Sequence, residues 1–395
     1  MFINFTILNS ISKMIKSQYK YIFVLFSFLG GCSNDPSPQI LSNITNVKIP
    51  VDKLQTIKLS DVISEYKAIK LEFTEKSMIQ SVRKVLCYKN QIYVLDTFGS
   101  KAVLVFNMDG SFVRRIGESG RGPGQYILPQ DFEIDSDNNI IEIIGNRQVI
   151  KYSLTGKYLN HFTINFTGIN FVKKGGDYYF AVSGKEDFKV ICTDLQGRIQ
   201  HSYVPTYGNY EMGVAFSCFI PQTSDQILYR PLRRDTIYSV KNKSITPYRI
   251  IDFGDYKFDL EAYNSLPRLE QMKFIKNKKN INQCIIENYF ENSQYVHITY
   301  DKSGKLYEYI LNKTTGNYCH FGNETLNDDI FWQAEAKWMT GGNEEYIYYN
   351  IEPYKFESIS KLKRFLEGFT EDESSIQAML EETSNPILLF AKYKI

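Results

Sequence analysis

Residues 91–117 read QIYVLDTFGSKAVLVFNMDGSFVRRIG. Two runs of strand length stand in it, IYVLD and AVLVF, each built from β-branched and aromatic residues in alternation with others. The Asp109-Gly110 pair between AVLVF and FVRRI is a strong hairpin signal, because glycine takes a positive φ without steric cost. The segment therefore reads strand, turn, strand, turn, strand. An apolar stretch just upstream, Val82-Arg83-Lys84-Val85-Leu86, supplies a fourth strand.

The unit recurs. Residues 139–164 read NIIEIIGNRQVIKYSLTGKYLNHFTI with Thr155-Gly156 in the turn, and 177–205 repeat the pattern around Gln196-Gly197. Looser copies span 226–254 and 294–322, and a partial one spans 332–354. A spacing of about 40 to 50 residues is that of four-stranded propeller blades. Phe132-Glu133-Ile134 again offers a preceding strand, which belongs innermost. The pattern predicts an all-β fold, a six-bladed β-propeller with four-stranded antiparallel blades, over residues 48–395. Stacked antiparallel sheets compete, but the regular spacing favours a ring. The terminal PILLFAKYKI (386–395) is a strand by composition, and YKAIKL (66–71) is expected to complete its blade, so that both chain ends close the circle. Two short helical insertions break the period. One covers 260–280, interrupted by Pro267, and the other covers 361–382; neither sustains an apolar heptad, so a coiled coil is not expected.

The beginning of the chain reads as an address. Lys13, Lys16 and Lys20 precede the apolar run YIFVLFSFL (21–29), which is too short for a permanent span of about 20 residues. Leu29-Gly30-Gly31-Cys32 resembles the lipobox of bacterial lipoproteins, which implies cleavage before Cys32 and lipidation of its thiol. Residues 1–32 are then a signal peptide, with Met14 a more natural start than Met1. Residues 33–47, with Pro36 and Pro38, read as a flexible tether. Only Asp35 is acidic just after the cysteine, so a periplasm-facing anchor is favoured, with the cell surface as the alternative.

Composition narrows the function classes. Lys plus Arg number 46 against 44 Asp plus Glu, so the basic excess of a nucleic-acid binder is lacking. The 29 Tyr and 27 Phe favour strands. Beyond Cys32, five cysteines remain: Cys87, Cys192, Cys218, Cys284 and Cys319. They form no CxxC pair, and apolar neighbours suggest buried thiols, although their disulfide status stays open. The four histidines, His161, His201, His297 and His320, show no metal-ligand spacing; His297, in an apolar strand, reads as packed. No metal or cofactor is expected, and no GxSxG elbow occurs.

A resemblance covers most of the chain after residue 48. IPVDKLQTIKLSDVISEYKAIKLE (49–72), IYVLD, VFNMDGSFVRRIG, GRGPGQY (120–126) and YRIIDFGDYKF (248–258) together resemble the six-bladed β-propeller lipoproteins of anaerobic Gram-negative bacteria, themselves similar to NHL-repeat propellers. The resemblance implies the fold and an anchored location. It implies no activity and carries over no catalytic residue.

With the first strand innermost, the loops entering it share one face with the turns between second and third strands. On that face the reading places Lys101, Arg121, Arg147, Arg230, Arg233 and Arg234 as candidate ligand-binding residues, with Lys185, Lys302 and Lys305 beside them. Guanidinium forks suit carboxylate, sulfate or phosphate. Asp96, Glu186, Asp187, Asp235 and Asp301 offset that charge, so a solvated rim of mixed sign is the plainer reading. GRGPG could bring backbone N–H groups to an anion, but a tight crossover between blades is favoured. Trp332 and Trp338 could line a sugar site, though core packing is commoner. The expectation is a membrane-anchored module binding a glycan, a peptide or an outer-membrane protein. The alternative is a glycan-degrading hydrolase or lyase with acids at the channel mouth.

Overall fold

The computed structural model describes residues 45–145, 147–182, 187–205, 218–221, 226–241, 243–277, 282–330, 337–355, 360, 362 and 384–395. Six sheets of four antiparallel strands form the blades of a propeller, one of them extended by a fifth strand. The first blade is Val82–Tyr88, Gln91–Asp96, Ala102–Asn107 and Phe112–Ile116. The second is Pro129–Asp135, Ile140–Gly145, Gln148–Ser153 and Tyr158–Thr163, and the third is Gly168–Lys174, Asp177–Val182, Phe188–Thr193 and Ile199–Pro205. The fourth is Phe219–Pro221, Ile227–Tyr229, Thr236–Lys241 and Ser244–Asp252; the fifth is Cys284–Glu291, Tyr295–Lys302, Lys305–Asn312 and Tyr318–Gly322. The sixth joins Lys337–Gly342, Ile347–Ile351 and Ile387–Tyr393 to Ile63–Lys70. That closure is the one expected: Leu388 sits opposite Ile69 and Leu389 opposite Ala68.

Three repeated devices turn six hairpin pairs into a ring. Apolar side chains fill the gaps between blades. Leu95, Val103 and Val105 of the first blade pack with Phe132, Ile141 and Ile143 of the second, all fully buried. Burying each such side chain stabilises by about 1.5–3 kcal/mol against leaving it exposed.

The second device is a bulge in the first strand. Five of the six innermost strands carry one extra residue: Arg83, Gln130, Ile169, Glu287 and Thr340. A bulge re-aims the side chains beside it. In four of the five the residue just after it then bonds the next blade. Lys84 Nζ donates to the Phe132 carbonyl at 2.8 Å, and Asp131 accepts from Phe171 N at 3.0 Å. Asn170 accepts from Cys218 N at 3.1 Å, and Asn288 Nδ2 donates to the Met339 carbonyl at 3.0 Å.

The third device is the glycine of the outer hairpin turn. Gly110, Gly156 and Gly197 have φ of 90°, 89° and 82°. An added Cβ at each would meet a carbonyl of the preceding blade's outer strand: Lys70, Arg115 and Thr163 respectively. The glycine that makes the turn also permits the close approach of the blades.

One strand was not foreseen. Thr45–Lys48 adds in parallel to Ser244–Asp252 as a fifth strand of the fourth blade, beginning inside the stretch expected to be tether. The chain then straps across two more blades. Gln55 N donates to the His320 carbonyl at 2.7 Å, Ile57–Lys58 pairs with Leu326–Asn327, and Ser60 on the one-turn helix α1 (Leu59–Val62) bonds Asp329. Val47, Ile49 and Val51 are buried against the fourth and fifth blades. No local pattern announces this, because a four-residue parallel strand depends wholly on a partner 200 positions away.

The first helical insertion is present as α2 (Leu260–Ser265) and α3 (Arg268–Lys276), separated at Pro267. Asp259 caps α2 by accepting from Ala262 N at 2.9 Å. Of the second expected insertion only the buried Leu362 is described; the signal segment, Cys32, Lys185, Glu186 and Trp332 lie outside the described residues.

Candidate functional site

The face that carries the loops entering each first strand holds a cavity of about 860 Å³. That is within the range of about 300–1,000 Å³ for small-molecule sites. It opens where α2 leans over the gap between the fourth and fifth blades. Arg233, Arg234 and Lys257 line it together with Asp235, Asp259 and Glu261. Phe253, Phe258 and Tyr238 supply apolar wall, and Cys284 lies among them. Burial pushes the Cys284 thiol up to about 12, so it is no nucleophile near neutral pH.

The six candidate residues divide. Arg233 and Arg234 reach this cavity. Arg233 lies with its guanidinium 5.1 Å from the Tyr263 ring centre, at a positive φ of 55°. Arg234 is 9% exposed and donates to the Pro205 carbonyl at 3.1 Å. Arg230, expected at the rim, is 1% exposed and donates to the Ile286 carbonyl at 3.4 Å, turned inwards between blades. Its sequence neighbours Pro231 and Asp235 look like an exposed turn, but the side chain is long enough to fold back beneath it.

Lys101, Arg121 and Arg147 belong to the first two blades and line neither this cavity nor the channel-mouth cavity described below. Lys101 is half-buried at a φ of 51°. Arg147 is exposed and bonds Thr167 Oγ1 at 3.4 Å. Arg121 is exposed in a crossover that runs along the flank of the second blade, where Gly124 lies against Tyr158. The loop's amides are engaged internally: Gly120 N with the Tyr126 carbonyl at 2.8 Å and Gly122 N with Gln125 Oε1 at 2.9 Å. That is the geometry of a tight crossover.

Other charges on this face are also partnered. Lys257 meets Asp235 at 2.8 Å, Lys302 lies 3.8 Å from the Tyr256 ring centre, and Lys305 is 3.8 Å from Glu324. Asp96 is fully buried and accepts from four backbone N–H groups, those of Gln80, Ser81, Gly99 and Ser100. It is an organiser of the loop, not a ligand-facing acid. Lys257, Phe258, Asp259 and Glu261 were not anticipated as site residues; the Asp259-Leu260-Glu261 helix start was the available signal.

At the channel mouth, Glu287, Glu308 and Glu352 border a second cavity of about 160 Å³ among the fifth, sixth and first blades. Burial pushes the Glu287 carboxyl up, with Arg230 pulling the other way. Glu308 accepts at 2.6 Å from His297, which is 2% exposed and continues to Tyr393 at 3.0 Å and so to Tyr349. His297 is thus the packed residue its strand suggested. Among the described residues no group of His, Cys, Asp or Glu converges to hold a metal ion.

The ring of six four-stranded blades defines a six-bladed β-propeller with a loop-face cavity. The chain belongs to the family known as "Domain of unknown function (DUF4934)", whose model matches residues 42–392. Among solved structures it is similar to a Bacteroides fragilis NCTC 9343 protein described as exported, at 20% identity, TM-score 0.68, covering 89% of this chain and 100% of that one. It is also similar to a protein of unknown function from Bacteroides caccae, at 12% identity, TM-score 0.39, covering 62% and 82%. A further match is PorZ of Porphyromonas gingivalis, a surface component of the type-IX secretion system, at 10% identity, TM-score 0.32, covering 69% and 38%. Of these, the Bacteroides fragilis match supports the fold.

Proposed function

We propose that this chain is an extracytoplasmic propeller lipoprotein, tethered through Cys32, whose cavity between the fourth and fifth blades binds a peptide segment. The observation that carries the binding reading is that cavity, roofed by the one described helical insertion and walled by aromatic residues. Arg233, Arg234 and Lys257 face Asp235, Asp259 and Glu261, so an occupant bearing both charge signs suits it better than a purely anionic glycan. The lipobox-like Leu29-Gly30-Gly31-Cys32 and the exported relative support the location.

Peptide and glycan arrays probed with the detergent-solubilised full chain test the binding. A peptide bound by the wild type and lost with Arg233→Ala and Arg234→Ala agrees with the reading; binding untouched by both moves the site elsewhere. Release of reducing sugar from a glycan would replace it with the hydrolase reading. Location is checked separately, since Cys32→Ser should shift the chain out of the membrane fraction.

A further inference from the structure

The channel-mouth cavity is distinct from the loop-face site, and its lining is one-sided. Glu287, Glu308 and Glu352 are acidic, whereas no lysine, arginine or histidine is among the lining residues. Three features mark it as built to receive something. Asn350, 5% exposed, is among the lining residues, and its carboxamide oxygen meets no donor among the described residues. A buried amide oxygen left without a donor costs about 1–3 kcal/mol, which a bound N–H recovers. Glu308 is gripped on one side only: Oε2 accepts from His297 at 2.6 Å and Thr299 at 2.8 Å, while Oε1 makes no hydrogen bond among the described residues. The His297–Tyr393–Tyr349 chain behind it holds that carboxylate in place. Finally, Val82, Leu306 and Met339 add an apolar wall to the same small space.

We propose that this cavity binds the ammonium or guanidinium end of a short alkyl chain, as on a lysine or arginine side chain or a free diamine. The acceptors do not converge as a metal's ligands do, but several N–H donors on one cationic head can reach separate acceptors. The apolar wall suits the methylene stem, and a volume of about 160 Å³ suits one such group rather than a sugar chain. Burial and Asp301 push the Glu287 carboxyl up, against the pull of Arg230 and Arg233.

Calorimetry on the detergent-solubilised full chain tests this with agmatine, cadaverine, Nα-acetyl-lysine methylamide, pentanol and calcium chloride. The expected result is saturable binding of the amines and none of pentanol. Glu308→Gln and Asn350→Leu should each weaken it about tenfold or more. Asn350→Asp, which keeps the shape and adds charge, should tighten it. Binding of the acetyl-lysine amide in preference to the free amines would assign the site to a side chain; the reverse would assign it to a small metabolite. Absence of amine binding, binding indifferent to all three substitutions, or displacement by calcium at these residues would overturn the proposal. Loss of the loop-face peptide by Arg234→Ala, which lines only that cavity, leaves this outcome unaffected, so the two readings fail separately.

Discussion

Replacing Gly110 by alanine strikes the seam where the ring closes. Gly110 turns the outer hairpin of the first blade at a φ of 90°, and an alanine Cβ there would sit 1.9 Å from the Lys70 carbonyl oxygen on the closing strand. Gly304 is the control: its φ is 76°, but a Cβ there meets nothing within 4 Å. The left-handed backbone alone costs a non-glycine residue about 1–2 kcal/mol, and both variants incur it. Only Gly110→Ala adds a clash with backbone, which costs about 1–3 kcal/mol when neighbours must shift. The shift also strains the bond from Glu72 N to the Gly110 carbonyl, 2.9 Å long and worth about 1 kcal/mol. The expected losses are therefore about 3–6 kcal/mol for Gly110→Ala and about 1–2 kcal/mol for Gly304→Ala. Guanidinium unfolding followed by near-ultraviolet circular dichroism, with equal slopes, reads the difference as a midpoint shift. Equal losses in the two variants would refute the idea that the turn glycine seats one blade on the next.

Asp96→Ala removes the acceptor shared by four buried-side N–H groups, so it should cost about 3 kcal/mol or more, with hydrogen exchange accelerated at Gln80, Ser81, Gly99 and Ser100; Asp96→Asn should recover part of it. Burial pushes the Glu133 carboxyl up to about 7, against Lys84 pulling it down. Between pH 4.5 and 7 the unfolded chain has already lost this proton while the folded one keeps it, so this group lowers stability as pH rises through that window; Glu133→Gln should flatten that slope in a series of melting curves. All five described cysteines are free, and burial raises Cys87, Cys192 and Cys218 to about 11, so iodoacetamide should label them only after unfolding, and reductant should leave the melting temperature unchanged.

The blades were legible because their signals are local. Asp109-Gly110, Thr155-Gly156 and Gln196-Gly197 mark hairpins whose strands lie within a few residues, and repetition multiplies the signal. Closure was legible because PILLFAKYKI had no neighbouring partner and YKAIKL had none either. The parallel strand Thr45–Lys48 and the strap after it were not, since their partners are set only by the finished ring. The cavity was half legible. Arg233 and Arg234 stood out as a charged turn, but the helix that roofs them reads in isolation as surface decoration. The channel-mouth acids were invisible, because Glu287 and Glu308 meet only when two strands of one blade and the neighbouring blade are assembled.

The sixth sheet has an outer strand, Ile63–Lys70, that comes early in the sequence, while its partner Ile387–Tyr393 is the last described strand. All the other blades lie between the two in sequence, so this pairing closes the longest loop in the ring. Until that pairing forms, the early strand presents an open edge, and its exposed Glu65 and Lys67 are charges that discourage a neighbouring chain from pairing with it. The pairing of Ile63–Lys70 with Ile387–Tyr393 is therefore a latch, and a chain in which it has not formed is an incomplete circle.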